Sequence, residues 1–254
     1  MTTAHTPLRW LAAGENFPPV DQAWGANSLA PGLLCAGGDL QVSTLKKAYS
    51  KGIFPWYSDG LPVLWWSPAP RMVLNTSEFR LQPSLKKTIK KFSRAADCEI
   101  RVDGDFSRVI RACSTSRRGD QDGTWILPEI VDAYVGLHQA GFAHSVEAWR
   151  EGRLIGGLYF VALGKAVFGE SMFHAATDGS KIALAALVAM CRQYQISRID
   201  CQQNTRHLAS LGAREMPRHA FVDDLKNQTT QLGPTWLFDP LYWRAITASP
   251  THPE

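Results

Sequence analysis

The chain has 254 residues, of which 45% are hydrophobic and 20% charged, and its formal net charge is +4. These values are typical of a globular protein with a full hydrophobic core, and they exclude a largely disordered or repetitive chain. The five cysteines are scattered and form no C-x-x-C pair, so neither a disulfide framework nor a zinc site is indicated. No signal-peptide pattern or long apolar run is present. We therefore expect a cytoplasmic protein that does not span the membrane.

Residues 1–80 are rich in Pro, Gly and Trp, and short apolar runs alternate with turn residues. This pattern predicts a small N-terminal domain of short strands and one helix. The helix covers residues 43–49 and stops at Gly52. The remaining residues, 81–254, form a second and larger domain in this interpretation.

A basic segment opens the second domain, since Arg80 to Arg94 carries six basic residues and no acidic one. A helix that begins after Ser84 as N-cap places Leu85, Ile89 and Phe92 on one face. The opposite face then carries Lys86, Lys87, Lys90, Lys91 and Arg94. Such a face is either a solvated surface or a binding surface for a polyanion. The absence of interspersed glutamates favours a polyanion such as RNA.

The rest of the chain alternates between helical and strand patterns. Helices are predicted over 127–141, with Pro128 in the first turn, over 181–194, and over 205–211 before a stop at Gly212. Strands are predicted over 144–149, 153–162, 166–173 and 197–202. Strands that meet in one sheet with packed helices give an α+β or α/β sandwich, the arrangement of GNAT-type acyltransferases.

Two strand segments carry the candidate site residues. The two-residue period of a strand predicts that Asp200 and Gln202 share one face, with Cys201 on the other. Glu170 and Met172 share a face in the same way. A carboxylate and an amide beside an apolar wall suit a pocket that accepts both a cationic amine and an apolar side chain. A carboxylate at a strand end is, however, more commonly a structural hydrogen-bond acceptor.

Other constellations are weaker. Ser171 does not complete a G-x-S-x-G elbow, because residue 173 is Phe, and Cys201 with His207 makes a poor nucleophile pair if Cys201 faces away from the pocket. No phosphate-binding glycine motif is present, and the seven histidines show no metal-ligand spacing. Trp56 and Trp125 lie in loop-like contexts, where an aromatic ring either packs in the core or stacks on a base.

Several short motifs, taken in order, resemble those of the leucyl/phenylalanyl-tRNA–protein transferases. The motifs occupy residues 32–40, 52–57, 65–71, 124–126, 143–147, 169–173, 180–181, 200–202, 207 and 210–213. Each is short, but together they cover most of the chain. Two positions depart from the family pattern: Ala69 stands where Asp is usual, and Gly179 where Ala is common. Neither touches the candidate strand at residues 200–202.

The resemblance implies a reaction. Leucine or phenylalanine, and less readily methionine, moves from aminoacyl-tRNA to the N-terminal amine of a protein that begins with Arg or Lys. Proteins so modified are marked for N-end-rule degradation. The implied architecture is an N-terminal domain that assists tRNA binding and a GNAT-like catalytic domain, with no cofactor and no metal. We expect a monomer.

The resemblance also assigns roles to individual residues. Asp200 and Gln202 match the catalytic pair, and Glu170, together with Asp200, matches the acceptor-binding carboxylates. The pocket for the transferred side chain is matched by Met172, Leu184 and Ile199. The aromatics near the 3′-terminal adenosine of the tRNA are matched by Trp56 and Trp125. The basic helix then grips the tRNA backbone through phosphate contacts.

Two other functions fit parts of the sequence. A GNAT enzyme that uses an acyl-coenzyme A donor needs a glycine-rich turn at a helix N-terminus, and residues 170–181 contain one glycine. A non-catalytic tRNA-binding protein needs only the basic helix and the stacking tryptophans, and it leaves the polar residues of the two strands unexplained.

Overall fold

A computed structural model of the protein describes residues 7–116 and 126–247. Within those ranges helices combine with two β-sheets, so the predicted α+β class is confirmed. The strands are β1 (Arg9–Leu11), β2 (Leu33–Gly37), β3 (Phe54–Pro55), β4 (Leu64–Trp66), β5 (Arg71–Asn75), β6 (Cys98–Val102), β7 (Ala143–Arg150), β8 (Arg153–Leu163), β9 (Ala166–His174), β10 (Arg198–Gln202) and β11 (Arg214–Met216). The helices are α1 (Val42–Tyr49), α2 (Pro83–Phe92), α3 (Phe106–Thr115), α4 (Pro128–Gln139), α5 (Gly179–Gln193), α6 (Arg206–Ser210), α7 (Arg218–Thr230) and α8 (Arg244–Thr247).

The strands divide into a four-stranded sheet, in the order β1-β2-β4-β3, and a seven-stranded sheet, in the order β11-β5-β10-β9-β8-β7-β6. The chain passes from the first sheet to the second between Trp66 and Arg71. β5 pairs antiparallel with β10, so residues just before position 80 already belong to the large sheet. The division of the chain into domains 1–80 and 81–254 stays a prediction.

The predicted meander is confirmed: β7, β8 and β9 pair in antiparallel order. Tight turns join them at Glu151-Gly152 and at Gly164, all three residues having positive φ. β10 then runs parallel to β9, because helix α5 carries the chain back across the sheet. The junction between β9 and β10 is therefore the one place where this run of neighbouring strands changes from antiparallel to parallel pairing.

Two hydrophobic layers cover the large sheet. Alternate residues of β8 point to opposite layers: Tyr159 and Val161 pack with α1, α3, α4 and the first sheet, whereas Leu158 and Phe160 pack with α2 and α5. Helix α5 is nearly all apolar and almost completely buried. Its first residue, Gly179, lies so close to β8 that a Cβ would fall 2.2 Å from the Ile155 carbonyl oxygen.

The basic helix α2 starts one residue before the predicted N-cap. Its N-cap is Gln82, with Pro83 in the first turn, so the assignment of Ser84 as N-cap is wrong. Proline suits this position because its fixed φ is helical and its missing N–H would lack a partner there anyway. The predicted faces are confirmed: Leu85, Ile89 and Phe92 are buried. The basic side chains are exposed or, for Lys86, half-buried, and none forms an ion pair within the described residues.

Candidate active site

A cavity of about 1010 Å³ opens where β9 and β10 separate. The two strands pair at Val167 with Ile199 and at Phe168 with Asp200. Beyond these pairs β9 continues to His174 beside β8, while β10 remains paired with β5. The gap between the diverging strands, closed on one side by α5, is the cavity. A pocket of this size is large enough for an amino acid together with part of a nucleoside.

The apolar wall of the cavity comes from four neighbouring elements. Met172 on β9, Leu184 on α5 and Ile199 on β10 all border it, as the family resemblance implies for the side-chain pocket. Leu158 on β8 and Leu187 on α5 border it as well, and sequence reasoning did not single them out. These side chains enclose a space suited to an aliphatic or aromatic group.

The polar wall is built by two β-bulges in adjacent strands. Glu170 is the extra residue in β9, where the register shifts opposite Tyr159 and Phe160. A second shift in β10 lies between Asp200 and Gln202, and Gln202 has a φ of 62°. Bulges redirect side chains, and here they bring two together: Gln202 Nε2 donates to Glu170 Oε1 at 3.0 Å.

Two tyrosines hold Glu170 from behind. Tyr49 on α1 and Tyr134 on α4 are fully buried, and their hydroxyl groups hydrogen-bond to each other. Tyr49 also donates to Glu170 Oε1 at 2.8 Å, and Tyr134 to Oε2 at 3.3 Å. Burial raises the pKa of Glu170 to about 8; the nearby Asp200 also raises this pKa, whereas the tyrosine hydroxyls and Arg71 act to lower it. Burial likewise raises the pKa of both tyrosines, which keeps their hydroxyls protonated.

Asp200 lies behind the polar wall in a buried ion pair. Arg71 binds it with two nitrogens, Nε to Oδ1 at 2.8 Å and Nη2 to Oδ2 at 2.6 Å, and the two side chains are 1% and 2% exposed. The guanidinium lies 4.9 Å from the Phe54 ring centroid and 4.8 Å from that of Phe221. The remaining contact of Asp200 with the site is through the backbone, because Gln202 N donates to Asp200 Oδ1 at 2.9 Å.

The strand-alternation prediction for β10 is therefore wrong. Asp200 and Gln202 do not share a face: Gln202 and Cys201 both border the cavity, whereas Asp200 borders a small void of about 20 Å³ on the α7 side. The cause is the register shift after Asp200 together with the positive φ of Gln202, which rotates the chain out of regular alternation. Asp200 and Gln202 are nevertheless neighbours, joined by the backbone hydrogen bond.

The basic helix adjoins the rim of the cavity. Thr88 on α2 donates to Asp178 Oδ2 at 3.3 Å, and Asp178 and Lys181 at the start of α5 border the cavity. Lys181 forms an ion pair with Asp178 at 2.9 Å. Helix α2 thus contacts the rim through Thr88, and its lysines lie at the surface.

Of the two tryptophans expected to stack on a base, the structure describes Trp56 but not Trp125. Trp56 is 38% exposed and packs edge-to-face against Trp66, with ring centroids 5.3 Å apart, so one side of its ring remains available. Trp125 lies outside the residues that the structure describes.

Sequence reasoning missed Arg71, Tyr49 and Tyr134, which hold the polar wall in place. Tyr49 lies inside the predicted helix 43–49 and Tyr134 inside the predicted helix 127–141, where each has the spacing of an ordinary core residue. Arg71 follows a Pro-rich turn, and an arginine there is normally exposed. One available signal was the position of Arg71 at the end of the motif over residues 65–71.

Comparisons with known proteins identify the family of this chain. The family model described as leucyl/phenylalanyl-tRNA protein transferase matches residues 73–226, and the model of its N-terminal domain matches residues 38–69. The chain belongs to the leucyl/phenylalanyl-tRNA protein transferase family. The first match alone covers more than half of the chain, and it contains strands β6 to β11 and helices α2 to α6.

Members of this transferase family from two bacteria align along almost the whole chain. The leucyl/phenylalanyl-tRNA–protein transferase of Polaromonas sp. is 58% identical over 97% of this chain and 98% of its own length. That of Albidiferax ferrireducens is 56% identical, over 97% of each chain. Among solved structures, a GCN5-related N-acetyltransferase-like protein from Streptococcus suis aligns with 12% identity and a TM-score of 0.34, covering 68% of this chain and 63% of that one.

Within the described ranges, no three His, Cys, Asp or Glu side chains come together as a metal site. None of the described helices is long and apolar enough to cross a membrane.

Proposed function

We propose that this transferase moves leucine or phenylalanine, and less readily methionine, from aminoacyl-tRNA to the N-terminal amine of proteins that begin with Arg or Lys. The reaction takes place in the cytoplasm, marks these proteins for N-end-rule degradation, and needs no cofactor, because the ester of the aminoacyl-tRNA already activates the carbonyl group. The observation that carries this proposal is the cavity between β9 and β10, which has an apolar wall facing a carboxylate and an amide.

The apolar wall supports the assignment of the donor. Met172, Leu184 and Ile199 form a pocket for the transferred side chain, with Leu158 as a further member. Burial of a leucyl or phenylalanyl group among them contributes about 1.5–3 kcal/mol. Discrimination against a smaller side chain such as valine rests on pocket volume, at ~1–3 kcal/mol per methylene.

The polar wall supports the assignment of the acceptor. Glu170 offers a carboxylate to the cationic N-terminal residue of the acceptor. Gln202 completes the catalytic pair with Asp200: its amide donates to Glu170, which leaves the amide oxygen to accept from the incoming amine. Asp200, held by Arg71, accepts from the Gln202 N–H and so fixes the backbone that carries the Gln202 side chain.

The surface around the cavity supports tRNA as the donor carrier. Lys86, Lys87, Lys90, Lys91 and Arg94 lie on α2, next to the rim, and bind the phosphate backbone. Trp56 and Trp125 stack near the 3′-terminal adenosine. With the ester carbonyl held against the amine, positioning supplies most of the rate acceleration, and the ribose 2′-hydroxyl carries a proton. The enzyme works as a monomer.

The experiment is transfer of labelled leucine from leucyl-tRNA to two peptides, one beginning with Arg and the other with Ala, without ATP or coenzyme A. We expect labelling of the Arg peptide only, and its loss in Asp200→Ala. A protein that binds tRNA but labels neither peptide would be a tRNA-binding protein. A protein that labels peptides only when acyl-coenzyme A is added would be an acyl-coenzyme A-dependent acyltransferase.

A further inference from the structure

The hydroxyls of Tyr49 and Tyr134 and the carboxyl of Glu170 form a closed triangle of hydrogen-bonding groups. Each of the three contacts the other two: hydroxyl to hydroxyl, Tyr49 to Oε1 at 2.8 Å, and Tyr134 to Oε2 at 3.3 Å. Both tyrosines are fully buried, so water does not complete their hydrogen bonds from outside. The triangle must satisfy itself with the protons that it contains.

The triangle has one proton too few when Glu170 is ionised. Two neutral tyrosine hydroxyls supply two protons, and an ionised carboxylate supplies none, so one of the three contacts brings two oxygens together without a proton. When Glu170 is protonated, three protons serve three contacts. Hydroxyl donation favours the ionised carboxylate, whereas the contact between the two hydroxyls is satisfied only when the carboxyl group provides a third proton.

Within the described residues, Glu170 is the member of the triangle that is open to the cavity; it is half-buried and borders the space between the two walls. Gln202 fixes its orientation by donating to Oε1 at 3.0 Å. The charged groups behind it, Asp200 and Arg71, neutralise each other in their bidentate pair. The other titratable groups that border the cavity within the described residues are Tyr159, His174, Asp178, Lys181, Cys201 and His207. A proton that enters the triangle therefore comes from a group in the cavity.

We propose that Glu170, with Tyr49 and Tyr134 behind it, is the site that takes up the proton lost by the acceptor's N-terminal ammonium before the amine attacks. The inference rests on the proposed function and adds an acid–base group to it. The carboxylate removes one proton from the ammonium and becomes a neutral acid. The free amine nitrogen then forms a bond to the ester carbonyl carbon, and the bond from that carbon to the ribose oxygen breaks. The departing oxygen takes the second proton that the nitrogen loses, so no co-reactant is required.

The proton affinities support this direction of transfer. An α-amino group ordinarily titrates at roughly 7.7–8.0. Burial raises the pKa of Glu170 to about 8, so a proton passes between the two groups at little cost in free energy. Asp200 does not fit this role, since both of its oxygens are bound to Arg71 and it does not border the cavity.

The test compares Glu170→Gln with wild type, at saturating leucyl-tRNA and acceptor, on two acceptors. One acceptor is a peptide with N-terminal Arg. The other is the same peptide with an aminooxy group in place of the α-amine, and this aminooxy group is already unprotonated at neutral pH. The glutamine side chain has the shape of the protonated carboxylic acid and, like it, offers a hydrogen-bond donor. It takes up no proton. We expect kcat to fall about 100-fold on the amine, the typical scale of acid–base catalysis, and by a much smaller factor on the aminooxy peptide.

Three results would overturn the inference. A variant that raises KM for the Arg peptide while kcat is unchanged would show that Glu170 only binds the cationic residue. An equal loss on both acceptors would show that it only positions the nucleophile. A Tyr134→Phe variant that keeps the wild-type kcat on the amine, as we expect of the control Tyr194→Phe, whose hydroxyl bonds to Thr235 O away from the cavity, would remove the triangle from the reaction. Failure of wild type to label either peptide would instead contradict the proposed function itself.

Discussion

The two walls of the cavity are built in different ways. The apolar wall is a set of side chains from β8, β9, β10 and α5 that need only be large and correctly spaced. The polar wall depends on two bulges, a buried ion pair and a closed hydrogen-bonded triangle, and each group in it has specific partners. A wall that only has to fill a given volume tolerates substitution by other apolar residues, whereas a buried polar network does not tolerate the loss of a member. The polar wall should therefore control whether the reaction occurs, and the apolar wall which amino acid is transferred.

The largest expected effect is on stability and comes from the ion pair behind the polar wall. Arg71→Met leaves Asp200 buried without its partner, which costs about 3–5 kcal/mol of the free energy of unfolding. Urea denaturation followed by circular dichroism measures this loss. The control, Lys226→Met, breaks an exposed pair with Asp223 and should leave the midpoint unchanged. Equal stability of Arg71→Met and wild type would mean that the polar wall does not depend on this pair.

The next effect is on catalysis. Gln202→Ala removes the amide that orients Glu170, and we expect kcat to fall about 100-fold while the free energy of unfolding changes little. Steady-state transfer to the Arg peptide gives the rate. Gln203→Ala, at the exposed neighbouring position, is the matched control. A similar loss in both variants would point to a disturbed loop after β10 rather than to the amide.

A third effect concerns the basic helix beside the apolar wall. Replacement of Lys86, Lys87, Lys90 and Lys91 by Ala should weaken tRNA binding. A plot of the logarithm of the tRNA association constant against the logarithm of salt concentration has a negative slope. Each lost phosphate contact makes this slope shallower by about 0.7–0.9, because fewer counterions are released. Filter binding across a salt series measures the slope. The control carries Lys51→Ala and Lys226→Ala on other surfaces, and an unchanged slope in the four-lysine variant would remove α2 from the RNA-binding surface.

The smallest effect is on donor choice. Leu184→Ala enlarges the apolar pocket and should favour phenylalanine over leucine by about tenfold, which corresponds to about 1.4 kcal/mol of packing. The ratio of kcat/KM for phenylalanyl-tRNA and leucyl-tRNA reports it. Leu225→Ala is the control, because Leu225 is equally buried but does not border this cavity. If both variants change the ratio alike, loss of stability rather than pocket shape is responsible.

The sequence predicted much of the fold because its local signals agree with the tertiary structure. The turn at Glu151-Gly152, the stop at Gly212 and the face formed by Leu85, Ile89 and Phe92 all appear as expected. Helix α7 has a polar composition with two buried positions, and no prediction was made for it. Contacts of Phe221 with the segment at Gly52, together with those to the large sheet, help to stabilise this helix.

The site was less predictable because its geometry comes from irregular backbone. Periodicity assumes a regular strand, so it placed Asp200 beside Gln202, and the bulge in β10 moved Asp200 to the other side. The partners of Glu170 are far apart in sequence: Tyr49 lies 121 residues before it. No local pattern specifies such a contact. The apolar wall followed from the family resemblance, since apolar residues on strand and helix faces border the cavity without special backbone geometry.

The most direct test of the division between the two walls is single-turnover transfer from leucyl- and phenylalanyl-tRNA, with Gln202→Ala and Leu184→Ala measured side by side. We expect Gln202→Ala to slow transfer from both donors by the same factor, whereas Leu184→Ala changes the ratio between the two rates. A change of donor ratio in Gln202→Ala, or an equal slowing of both donors in Leu184→Ala, would contradict it.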